Sequence, residues 1–134
     1  NIDAVEFFVE MVLPLVRSML GNIKFSIIGA NPPKKVRRYA KIGQNLEVTG
    51  FVDEITPYLN KAMLSIAPLR YGAGVKGKIT SSMSAGLPVV TTPIGAEGMD
   101  LVHGENVMIG AGAAVVNNIP GNLTVVGVPA RSLL

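Results

Sequence analysis

Four short apolar runs, spaced so that a helix fits between successive members, constrain this chain more than any other feature. They are residues 24–28 (KFSII), 46–49 (LEVT), 63–67 (MLSIA) and 88–91 (PVVT), the first two ended by Gly29 and Gly50. Runs of this length and composition read as buried strands. Helical patterns lie around them. Val5, Phe8, Val9, Val12, Leu13, Val16 and Leu20 fall on one helical face. Asp3 and Glu6 have the spacing of a capping box at its start, and Pro14 is expected to kink it. Residues 33–41 read as a short basic helix, Asp53 as the cap of a helix through Ala62, and 78–85 as a helix stopped by Gly86. Strands and helices alternating over short connections predict the α/β class, a Rossmann-like parallel sheet with helices on both faces. Such domains open on a strand, whereas this chain opens on a helix. A first strand is therefore expected to be missing, to be supplied by a partner chain or by the tail. Ligands of such sheets bind outside the carboxyl ends of the strands. Here those ends carry Gly29, residues 50–52, 68–77 and 92–98.

Composition narrows the function classes. With 134 residues, 49% hydrophobic and 16% charged, the chain can pack one core, and disorder is excluded. No apolar run reaches the roughly 18 residues that span a bilayer. Residues 5–20 are interrupted by Glu6, Glu10, Pro14 and Arg17, and they lack the basic start and cleavage site of a signal peptide. The absence of cysteine excludes disulfides and thiolate catalysis and fits a cytosolic setting. No His/Asp/Glu cluster has metal-ligand spacing. The net charge of +3 is gathered in Lys34, Lys35, Arg37, Arg38 and Lys41, and in Arg70, Lys76 and Lys78. With four Phe, three Tyr and no Trp, stacking platforms for nucleic acid are scarce. The first basic group has a thin apolar side of Val36, Tyr39 and Ala40, so it reads as a solvated helix face with at most weak contact to a membrane surface.

The segment from Arg70 to Lys78 (RYGAGVKGK) is the most informative. Gly72, Gly74 and Gly77 allow tight turns and close approach of backbone N–H groups to a ligand. Lysines are unfavourable at the positive end of a helix dipole unless an anion sits between them. The spacing matches neither a Walker A loop nor the dinucleotide fingerprint. From spacing alone, a phosphate cradle and a solvated loop stay equally open.

Several linked motifs carry a family resemblance. They are NIDAVEFF from Asn1, FSIIG from Phe25, VTGFVD from Val48, APLRYGAGVKGKI from Ala67, and SAGLPVVTTPIGAEGM from Ser84. Residues 1–106 resemble, in order, the C-terminal donor-binding domain of group 1 glycosyltransferases, GT4-type enzymes of the two-domain GT-B fold. The resemblance implies retaining transfer of a sugar from a nucleotide-diphosphate donor, a UDP- or GDP-sugar, in polysaccharide or glycolipid assembly, ordinarily without a metal or other cofactor. It implies that Gly74, Val75 and Lys76 face the diphosphate, with Lys78 or Arg70 nearby. Phe51 and Val52 border the nucleobase, and Gly95, Ala96, Glu97 and Gly98 lie toward the sugar. The family's Glu-Ala-Met stands here as Ser81-Ser82-Met83, so the carboxylate that holds the donor ribose is replaced by the shorter, neutral Ser81. Ala73 stands where many members carry another Glu. The family's N-terminal acceptor domain is not in this sequence, so the chain alone is expected to bind a donor without turnover.

From about residue 107 the pattern changes. Ile109-Gly110, Asn118-Ile-Pro-Gly and Gly127-Val-Pro-Ala-Arg131 resemble the closing coil of hexapeptide-repeat acyltransferases, whose last segment helps bind CoA, with Arg131 as the matching contact. A left-handed β-helix needs several stacked coils to bury any one of them, and only Ile109 and Val115 show the six-residue step. Two or three short strands joined by Pro/Gly turns, pairing at a sheet edge or covering an apolar face, are the simpler expectation for 107–134. His103, the only histidine, reads as a loop residue rather than a base. Two alternatives accompany the transferase reading: a CoA-dependent acyltransferase fragment, and a chimeric domain without activity.

Overall fold

The computed structural model describes residues 1–43, 45–74, 76–105 and 107–109, together with the backbone of 125–126 and 131–132. Along each strand, alternate residues go to opposite faces, and this sorts the side chains into two cores. The strands are β1 (Phe25–Ile27), β2 (Leu46–Val48), β3 (Ser65–Ala67), β4 (Val89–Thr91) and β5 (Met108–Ile109). β1 pairs with β2, and β4 runs between β3 and β5, all in parallel. Phe25, Ile27, Val48 and Ile66 pack on the first core, built from Phe8, Val12, Leu13, Val16, Tyr39 and Leu46. The next residue of β3, Ala67, belongs to the second core with Ile79, Val89 and Val107. Ile66 and Ala67 thus mark the two faces of one layer, each covered by helices. The α/β class and the parallel, Rossmann-like arrangement are as expected. Among the described residues no ladder joins β1 to β3, which leaves each with one unpaired edge. A short antiparallel pair, β6 (Val125–Val126) and β7 (Arg131–Ser132), is the remaining described structure.

The first helical region runs in three pieces: α1 (Ile2–Phe7), a π-helical turn (Phe8–Val12) and α2 (Leu13–Leu20). Pro14 cannot donate to the turn before it, and the helix absorbs that defect by widening there rather than by a simple kink. α1 begins two residues earlier than a capping box at Asp3 requires. Asn1 is the N-cap position and no side chain caps the helix. The box is therefore not formed. Asp3 binds Arg70, and Glu6 pairs with Lys35 at 2.6 Å.

The basic segment forms α3 (Lys34–Arg37) and α4 (Tyr39–Ile42), with Val36 and Tyr39 buried and the cations outside. The helix expected from Asp53 is reduced to the single turn α5 (Thr56–Leu59), and Asp53 does not cap it. Pro57, in the first turn, fixes the start at Thr56, two residues later than a cap at Asp53 would set it. α6 (Gly77–Ser84) covers the second core. A further turn, α7 (Pro93–Ala96), follows β4 directly, capped by the Thr92 hydroxyl.

Candidate functional site

The parallel ladders send the carboxyl ends of neighbouring strands to one edge, and side chains bind those ends to each other. Thr91 Oγ1 donates to the carbonyl of Ala67 at 2.9 Å, and the Thr92 hydroxyl donates to the carbonyl of Leu69. The loops after β3 and β4 are thereby joined. Gly95 is buried against Thr91 and donates its N–H to Thr92 Oγ1 at 3.1 Å. A Cβ at residue 95 would stand 1.9 Å from Thr91 Oγ1, so only glycine fits. In the segment expected on the sugar side, Gly95 therefore faces inward, Ala96 is half-buried, and Glu97 and Gly98 are exposed.

On the neighbouring ladder, the N–H of Gly29 bonds the carbonyl of Gly50 at 3.3 Å, joining the ends of β1 and β2. An open cleft of about 300 Å³ lies there, lined by Pro32, Arg37, Ala40, Val48, Thr49 and Gly50. Phe51 follows directly and is 73% exposed, while Val52 is half-buried. A phenyl ring held in water next to a cleft is available for stacking, and the resemblance has Phe51 border the nucleobase.

The glycine loop closes on its own lysine. Gly72 and Gly74 take positive φ (120° and 80°), which turns the chain back on itself. Lys76 is 8% exposed, and its ammonium donates to the carbonyls of Gly74 and, at 3.4 Å, of Gly72. Val75 lies outside the described residues. Lys78 sits in the first turn of α6 and donates to Oδ1 of Asn1. Crowding by surrounding atoms, and secondly the charge of Lys76, pushes its ammonium below the usual lysine range. The residue nonetheless keeps an exposed surface.

Arg70 is held differently. Its Nε donates to Asp3 Oδ2 at 2.9 Å, its Nη2 donates to Oδ1, and its Cζ lies 4.9 Å from the centre of the Phe7 ring. The hydrogen bonds from Arg70 hold the Asp3 carboxyl below its usual range, and Asp3 raises Arg70 in return.

Ser81 is exposed on α6, and its neighbour Ser82 is buried, its hydroxyl donating to the Lys78 carbonyl at 2.9 Å and hydrogen-bonded to Ser65 Oγ at 2.9 Å. His103 accepts the N–H of Ile109 on Nδ1 at 3.0 Å, which fastens its loop to β5. Among the described residues there is no metal-ligating cluster and no helix long and apolar enough to cross a membrane. The Arg131 side chain, matched above to a CoA contact, lies outside what is described, as do the turns at Gly110 and Asn118.

Sequence reasoning did not identify Asp3 and Asn1 as parts of this edge, because they stand 67 and 77 positions from their partners. It also missed α7, although Thr92-Pro93 carries the signal of a cap followed by proline in the first turn.

Among curated proteins and among solved structures, nothing matches this chain. The family described as glycosyl transferases group 1 matches residues 1–121. That span holds both cores, the glycine loop and all three strands of the β3–β5 ladder. The chain belongs to the group 1 glycosyltransferases.

Proposed function

We propose that this chain binds a nucleotide-diphosphate sugar, with the diphosphate held by residues 74–78 at the start of α6. The observation that carries this reading is the pair of ammonium groups on Lys76 and Lys78. The ion pairs of the described residues are Lys24–Glu47, Lys35–Glu6 and Arg70–Asp3, so neither of these lysines has a carboxylate partner there. Burying the Lys76 charge against neutral carbonyls carries a desolvation cost, which a bound anion offsets. The positive end of the α6 dipole points the same way. A departing nucleoside diphosphate gains charge on its β-phosphate, and fixed cations stabilise that charge.

In this reading Phe51 and Val52 border the base beside the cleft, and Ser81 faces the ribose. Ala96, Glu97 and Gly98 lie toward the sugar, with Gly95 anchoring them. Retention of configuration, a UDP or GDP donor and a polysaccharide or glycolipid acceptor rest on the family resemblance, and a cytoplasmic setting rests on the cysteine-free composition. The acceptor side of the cleft comes from a second domain or a partner chain, and this chain alone binds without turnover.

Lys78→Ala tests the cradle. Lys78 is exposed, so the fold should survive, while UDP or GDP affinity falls about tenfold or more, as for one lost charge-assisted hydrogen bond. Calorimetric titration measures it. Unchanged affinity in the variant would sink the assignment.

A further inference from the structure

The first turn of α1 reaches both ends of the glycine loop. Asp3 holds Arg70, where the loop begins, through two hydrogen bonds, and Asn1 accepts from Lys78, just past its end. Phe7, one turn further along α1, lies beside the same guanidinium. Between these two anchors run Gly72 and Gly74, residues with the greatest conformational freedom to lose. We propose that Asp3 is a positioning residue: through Arg70 it braces the loop in the conformation that receives the diphosphate. The inference rests on the reading of residues 74–78 given above.

The chemistry explains why these residue types are used. A carboxylate and a guanidinium meet in a planar, two-bond geometry that fixes orientation as well as distance. Lysine cannot reproduce that fork or lie flat against the Phe7 ring. The pair is about half exposed on its Arg70 side, so its effect on overall stability is small. Its effect on a glycine-rich loop is larger in kind. It removes disorder that the ligand would otherwise have to remove on binding.

The test is a double-mutant cycle on the full chain. Asp3→Ala and Arg70→Ala should each weaken UDP or GDP binding about fivefold, and the double variant should be no weaker than either single one. Asp3→Glu should recover part of the loss, and Arg70→Lys should not. Amide hydrogen exchange of residues 71–74, measured without nucleotide, should speed up in Asp3→Ala. The isosteric Asp3→Asn provides the same comparison if the alanine variant does not fold. Wild-type binding with unchanged affinity in the Asp3 variants overturns the brace, as do additive losses. If the wild type binds neither nucleotide, the donor reading fails instead. The brace is then judged on exchange alone, where equal rates in wild type and variant overturn it.

Discussion

At residue 95 the backbone of α7 touches the side chain of β4 with no room for a methyl group. That contact fixes where the segment 95–98 leaves the sheet, so packing at this one residue sets the position of a ligand-side loop. Gly95→Ala forces Thr91 or the turn to move and should cost about 1–3 kcal/mol, the usual range for overpacking. Urea denaturation followed by circular dichroism measures it, and a change within error of zero would show that the turn gives way freely. The glycines and lysines of residues 70–78 were legible in the sequence because their meaning is local: a turn, a close approach, a helix start. The partners of Arg70 and Lys78 were not, because a contact across 67 or 77 positions leaves no mark in local spacing.

Among elements, the boundaries that failed are those where one residue outweighed a pattern. Pro57 delayed α5 past Asp53, and the start of α1 at Ile2 took Asp3 out of the capping position. β5 was not read as a strand because two residues, Met108 and Ile109, show no periodicity of their own. The edge of β4 makes a strand of them. α4 is tied to the π-helical turn by the Tyr39 hydroxyl, which donates to Glu10 Oε1. Burial first, and the bond to Glu10 second, push the phenol from 10.0 to about 12. A group raised on folding stabilises the fold fully below its unfolded value and loses that contribution as pH rises through the folded one. Tyr39→Phe should therefore cost about 1–2 kcal/mol at pH 9. That difference from wild type should shrink between pH 10 and 12. Denaturation at a series of pH values tests this, and a difference that grows with pH contradicts it.

Across the whole molecule, the four sequence runs became β1 to β4 in the expected order, and their parallel pairing followed from the helices between them. The division into two cores was implicit in that alternation, but the residues at which the faces separate, Ile66 and Ala67, needed the structure. Ile79 is fully buried in the second core, one residue from Lys78. Ile79→Ala should cost about 2–5 kcal/mol. It should lower nucleotide affinity only where the fold itself is lost, which thermal unfolding and titration on one sample separate. A loss of binding in a sample that stays folded would mean that this core also shapes the cradle.

The most direct test of the donor-binding account is titration of the isotope-labelled chain with UDP, GDP, ADP and CoA, followed by NMR. The account predicts that UDP or GDP shifts the amides of residues 72–78, that the matching sugar nucleotide competes, and that Lys78→Ala abolishes most of the shift. A folded sample whose 72–78 amides respond to none of the nucleoside diphosphates, or only to CoA, would contradict it.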